Sequence, residues 1–130
     1  MKTIWTNGCF DVLHRGHIEL FKFAKSLGNR LIVGIDSDDK VKQDKGPNRP
    51  LNTQEDRKLV LESLQYVDEV RIFNSSTELE GYIKEINPDI MVIGSDWIEK
   101  KVIGSEFAKG LIFFDRIGDY STTRILESDE

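Results

Sequence analysis

The chain has 130 residues, is 38% hydrophobic and 32% charged, and carries a formal net charge of −5. That length holds one domain with a proper core and is short for two, and the composition excludes a disordered chain. The acidic surplus argues against a general nucleic-acid binder, which needs a basic stripe, but leaves open a nucleotide pocket with local positive charge.

In chain order, short β-rich runs alternate with longer amphipathic ones. Lys2–Thr6, Leu31–Ile35, Glu69–Phe73, Ile90–Ile93 and Leu111–Phe114 read as strands. Several are continuously apolar, as expected when helices cover both faces of a parallel sheet. After the first strand, Gly16 to Leu27 places Ile18, Leu20, Phe21, Phe23, Ala24 and Leu27 at helical spacing. Ser37–Thr53 holds two of the three prolines and reads as a long irregular loop, a kind of segment that is either functional or disordered. Asn52 or Thr53 then caps a helix holding Leu59, Val60, Leu61 and Leu64, with Asp56 completing a loose capping box. A third helix is expected from about Thr77 to Glu85, burying Leu79, Tyr82, Ile83 and Ile86, with Pro88 as its stop. Strand–helix alternation throughout predicts a Rossmann-like doubly wound α/β sandwich on a five-stranded parallel sheet, a single domain over 1–130.

The start, MKTIWTNG, has no apolar h-region, so no signal peptide is expected. No apolar run approaches the ~18 residues of a membrane span. One cysteine, Cys9, excludes an internal disulfide framework and fits a reducing compartment. These features point to a cytoplasmic protein with no membrane partner.

The chemistry concentrates in TNGCFDVLHRGH, Thr6 to His17, which joins the first strand to the first helix. Open α/β sheets bind ligands at the carboxyl ends of their strands. A helix N-terminus there offers unpaired N–H groups and a partial positive charge to phosphate. His14 and His17 would stand beside it as donors, and Gly8 and Gly16 would let a triphosphate approach the backbone. Zinc is disfavoured, because no second cysteine or third histidine completes a set. Cys9 as nucleophile is disfavoured too, since free cysteine is usually a buried small hydrophobe.

GCFDVLHRGH resembles the signature of the HxGH nucleotidyltransferase superfamily, with His14-Arg15-Gly16-His17 as the motif. Further pieces recur in order: DSD (Asp36–Asp38), KGPNRPLN (Lys45–Asn52), DRKLVLESLQYVDEV (Asp56–Val70), PDIMVIGSDW (Pro88–Trp97) and YSTTRI (Tyr120–Ile125). The resemblance implies attack of a substrate phosphate on the α-phosphorus of a nucleoside triphosphate, with pyrophosphate leaving. It implies His14, His17, Lys45 and Arg57 as catalytic residues. It implies Gly8, Cys9, Phe10, Gly16, Asp38, Gly94, Asp96, Trp97, Arg116, Ser121 and Thr122 around the nucleotide, the last two capping a short terminal helix. Asp11 and Arg49 are expected near the acceptor. Mg2+ is expected with the triphosphate and without a dedicated protein cage, and a homodimer is expected from the family habit.

Two subfamilies compete. Cys9 in NGCFD, the KGPNRPLN loop and VIGSEFAKG (Val102–Gly110) resemble the adenylyltransferase domain of heptose-activating enzymes, which use ATP. GSDW and Arg116 resemble the glycerol-3-phosphate cytidylyltransferases, which use CTP, and Ile93 stands where the heptose type usually has lysine. The sequence reading favours CTP and a polyol or sugar phosphate, with heptose-type adenylyl transfer as the alternative. A nucleotide-binding regulator that lost turnover is the reading of another class; the intact His14, His17, Lys45 and Arg57 argue against it. A pure interaction module would need an exposed apolar face, and none is expected.

Overall fold

A computed structural model describes residues 1–95, 100–115 and the strand at 123–127. The elements are β1 (Thr3–Gly8), α1 (Arg15–Ser26), β2 (Arg30–Asp36), α2 (Asp38–Lys45), α3 (Gln54–Glu62), β3 (Glu69–Phe73), α4 (Ser76–Ile86), β4 (Ile90–Gly94), a 3-10 turn (Ser105–Phe107), β5 (Gly110–Phe114) and β6 (Thr123–Glu127). The strands form one sheet in the order β3-β2-β1-β4-β5-β6. The first five run parallel, in register Thr3↔Arg30 between β1 and β2 and Ile4↔Ile90 between β1 and β4. This is the doubly wound α/β fold expected from the alternation, and the chain order reverses direction between β1 and β4.

The pleat sorts the strand residues into two cores. Ile4, Leu31, Val33, Ile35, Val70 and Val92 pack with Leu20, Phe21 and Ala24 of α1 and Leu61 of α3. Trp5, Ile32, Met91, Ile93, Leu111 and Phe113 pack on the other face with Leu79 and Ile83 of α4. Gly34 is needed for the second core: a Cβ there would lie 2.5 Å from the Trp5 ring. The Trp5 indole N–H donates to Asn7 Oδ1 at 2.8 Å, so the buried ring also orients a residue at the end of β1.

Three expectations change. Ser37–Thr53 is not irregular throughout, because Asp38–Lys45 is helical. Ser37 Oγ accepts from Lys40 N–H, Asp38 and Asp39 sit in the first turn, Lys42 and Lys45 in the last, and Gly46 turns the chain away at φ 107. Caps and charge stabilise this helix against its dipole while it buries only Val41, so it carries no apolar period to read. The terminal segment Thr123–Glu127 is a strand rather than helix, antiparallel to β5 with Phe114↔Thr123 and Gly110↔Glu127. It covers an otherwise open sheet edge, and β-branched Thr123 and Ile125 suit that conformation. Finally, α3 buries Arg57 and Leu61 and leaves Leu59 and Val60 64% and 49% exposed. With Val12 and Leu51 also exposed, the surface is less free of apolar groups than the pattern suggests. Among the described residues, no helix is long and apolar enough to cross a membrane.

Candidate active site

The β1–α1 junction is built around Phe10, whose backbone is left-handed at φ 50. Its ring folds back over Gly8, where a Cβ would lie 3.0 Å from the ring, so Gly8 makes room for Phe10. The ring then meets Phe21 edge-on at 5.1 Å and His17 edge-on at 5.5 Å. One aromatic side chain thus ties the junction to the core and braces a histidine.

His14 is the N-cap of α1. Its Nδ1 accepts the Gly16 N–H at 3.0 Å, and His17 Nδ1 accepts the His14 N–H at 3.2 Å. Two of the helix's orphan donors are satisfied by imidazoles in a reciprocal capping box. The hydrogen bonds also assign the tautomer: with Nδ1 accepting, each neutral ring carries its proton on Nε2. The ring centroids stand 4.0 Å apart, so the two imidazoles form one paired donor surface.

Asp11 and Arg57 lock the loops that frame this end. The Asp11 carboxylate accepts Leu51 N–H at 2.7 Å and Asn52 N–H at 2.8 Å, with Arg49 Nε at 3.4 Å. Asn52 Nδ2 returns a bond to the Asp11 carbonyl at 2.7 Å. Burial would raise the Asp11 pKa, but these N–H groups and Arg49 hold it below the ordinary value. Arg57 is 2% exposed. Its guanidinium donates to the carbonyls of Asn52, Cys9 and Asp36 at 2.8–3.1 Å and to Asp38 Oδ1 at 2.9 Å. It therefore clamps the ends of β1 and β2 and the start of α3, and it is not among the residues that line the cavity. Four of the five guanidinium N–H donors thus face backbone carbonyls and the Asp38 carboxylate.

The cavity itself encloses about 680 Å³. It opens at the carboxyl ends of the strands and is lined by Gly8, Cys9, Phe10, Asp11, His14, His17, Lys45, Arg49 and Gly94, all singled out in the sequence. Gly16 and Asp38 are not among the lining residues and belong to the histidine cap and the Arg57 ion pair. Asp96, Trp97, Arg116, Ser121 and Thr122 lie outside the described residues. Lys45 lines the cavity from the last turn of α2, not from a loop, and makes no ion pair among the described residues. Burial raises the Cys9 thiol above its ordinary pKa despite nearby Lys45 and Arg57, which suits an unreactive side chain.

The sequence reading gave no site role to three charged residues of the wall: Asp36, noted only within DSD, Lys40 and Asp44. Asp36 stands at the carboxyl end of β2, a place where α/β folds present groups to ligands, and that placement was the available signal. Lys40 and Asp44 depend on α2, which the pattern did not reveal. Among the described residues, no cluster of three or more His, Cys, Asp or Glu could hold a metal ion.

A doubly wound sheet with paired histidines capping the first helix, over a cavity at the strand ends, defines an HxGH-type nucleotidyltransferase domain. The chain belongs to the cytidylyltransferase-like family, which matches residues 5–127. It is 48% identical over 123 residues to the bifunctional protein HldE of Campylobacter fetus, covering 95% of this chain and 27% of that protein. It is 46% identical over 127 residues to the bifunctional protein HldE of Helicobacter hepaticus, covering 98% of this chain and 26% of that protein. The chain thus spans about a quarter of the length of these relatives. Among solved structures, the lipopolysaccharide core biosynthesis protein of Thermoplasma volcanium superposes with a TM-score of 0.67 at 28% identity, over 78% of this chain and 80% of that one.

Proposed function

We propose that this domain transfers an adenylyl group from ATP to the phosphate of a heptose or related sugar phosphate. The observation that carries nucleotidyl transfer is the paired imidazole cap: two Nε2–H donors at a helix N-terminus, in one cavity with Lys45 and Arg49. An acceptor phosphate oxygen attacks the α-phosphorus, a new P–O bond forms, and the bond to the bridging oxygen breaks to release pyrophosphate. The nucleophile is already anionic, so no strong general base is required. Catalysis rests on alignment and on donors placed where negative charge gathers. His14 and His17 hold the triphosphate, Lys45 approaches it from α2, and Asp11 and Arg57 keep the surrounding loops in place. Magnesium would come with the triphosphate substrate and would neutralise part of its charge, beside His14, His17 and Lys45.

The base is where the CTP preference of the sequence gives way to ATP. Two of the three features favouring CTP, GSDW and Arg116, involve residues outside the described ones, and the third, Ile93 of β4, belongs to the core and also lines the cavity. Against them stand HldE relatives at 46–48% identity and the heptose-type resemblance of NGCFD, KGPNRPLN and VIGSEFAKG. The test is pyrophosphate release with magnesium, each of the four nucleoside triphosphates, and a panel of glycerol, hexose and heptose phosphates. ATP with a sugar phosphate is the expected active pair. Release with CTP and never with ATP would refute the choice of base.

The remaining expectations stand as part of the same proposal. The chain acts as a single domain that pairs with a second copy, works in the cytoplasm, and binds neither nucleic acid nor membrane. A sedimentation measurement giving twice the 14.9 kDa chain mass supports the dimer, and the monomer mass refutes it.

A further inference from the structure

The cavity wall made by the end of β2 and by α2 differs chemically from the histidine end. The Asp36 side chain is 16% exposed and lines the cavity, yet among the described residues its carboxylate accepts no hydrogen bond. Its nearest cation, Lys40 Nζ, is 3.8 Å away, an ion pair but too long for a hydrogen bond. Lys40 is itself held in place, 2.8 Å from Asp44 and 5.8 Å from the centre of the Phe73 ring. Asp36, Lys40 and Asp44 together carry one net negative charge, and Lys45, in the last turn of the same helix, brings the wall to neutrality. Lys40 is taken up by its two carboxylates, so the cations left to a phosphate are Lys45, Arg49 and the imidazoles. A carboxylate with open acceptor sites beside an ammonium instead matches a neutral group rich in hydroxyls, which can donate to one and accept from the other. Burial also pushes the Asp36 pKa up, with Lys40 opposing, as befits an acceptor short of donors in the protein alone.

Within this wall, Asp36 and Lys40 stand away from the switch point of the sheet. Chain direction reverses between β1 and β4, which favours the nucleoside beside Gly94, whereas Asp36 ends β2 on the opposite side of β1. We infer that Asp36, together with Lys40 held by Asp44, reads the hydroxyl groups of the acceptor and selects a polyhydroxylated sugar phosphate over a short polyol phosphate. This rests on the proposed sugar-phosphate reading. The ribose of the nucleotide offers the same diol chemistry, and the experiment must distinguish the two.

Steady-state pyrophosphate release is measured for wild type, Asp36→Ala and Asp36→Asn, varying ATP, mannose 1-phosphate, a heptose 1-phosphate and glycerol 3-phosphate in turn. Loss of hydrogen bonds to a charged group predicts that Asp36→Ala raises KM for the two sugar phosphates about ten- to hundredfold. KM for ATP stays unchanged and KM for glycerol 3-phosphate moves far less, so the preference for the longer acceptors collapses. Asp36→Asn keeps the shape, shows the same trend more weakly, and melts no lower than wild type; it carries the test if Asp36→Ala does not fold. Unchanged acceptor KM overturns the inference, and so does a shift confined to ATP, which would assign Asp36 to the ribose. Absence of pyrophosphate release from wild type refutes the transferase reading instead. Calorimetric binding of the same two sugar phosphates then judges Asp36: binding by wild type that the variant loses supports it, and equal binding by both proteins or by neither overturns it.

Discussion

Replacing Arg57 with methionine is expected to destabilise the domain without touching the cavity wall. The side chain is 1% exposed, so the variant keeps its aliphatic packing and loses only the guanidinium. Three carbonyls, of Asn52, Cys9 and Asp36, lose a donor, and the Asp38 carboxylate, 27% exposed, loses its ion partner. Breaking a buried pair by removing one partner costs about 3–5 kcal/mol. The total stability of a domain is only about 5–15 kcal/mol, so the loss is a large share of it. At about 3–5 °C per kcal/mol for a chain of this size, Tm falls by roughly 10–25 °C. Arg57→Lys keeps the charge but not the planar fork, which reaches several segments at once, and falls between the two. Urea unfolding followed by circular dichroism gives the free energies, and pyrophosphate release at a temperature where each variant is folded gives the activity. If Arg57 acted on phosphate, both variants would keep wild-type stability and lose turnover. An Arg57→Met domain within about 1 kcal/mol of wild type would therefore refute the clamp.

His17→Ala should reduce turnover by about a hundred- to a thousandfold through loss of one positioned donor, with a stability loss near 1 kcal/mol from the broken cap; unchanged turnover would sink the mechanism. Gly34→Ala forces a Cβ to within 2.5 Å of the buried Trp5 ring and should cost about 1–3 kcal/mol in denaturant unfolding. Asp11 has a lowered folded pKa, so its contribution is present above the ordinary aspartate pKa and is lost as pH falls through the folded value. Stability measured from pH 6 down to pH 2 should accordingly decline less steeply in Asp11→Asn than in wild type, and parallel curves would show that the carboxylate does not hold the Leu51–Asn52 segment.

By itself the sequence determined the parallel α/β sheet, because continuous apolar runs alternating with amphipathic segments bury both faces of the strands. It also determined the histidine pair, since an HxxH at a strand–helix junction falls where backbone donors and the helix dipole converge. It did not determine α2, whose stability comes from Ser37, charge placement and Gly46 and whose only buried residue is Val41. Hydrophobic period is silent on such a helix. Nor did it determine β6, because pairing with β5 depends on a sheet edge that exists only after the other strands assemble. The roles of charged residues were the least legible. Arg57 and Asp38 belong to one buried pair, and Asp11 staples a loop some 40 residues away in the chain. Whether a guanidinium faces phosphate or backbone is a matter of distance between segments remote in sequence, and only tertiary structure sets that distance. The same holds for Asp36: its residue type is plain in the sequence, but that its carboxylate faces a cavity without a hydrogen-bond donor is decided by how β2, α2 and Lys40 come together.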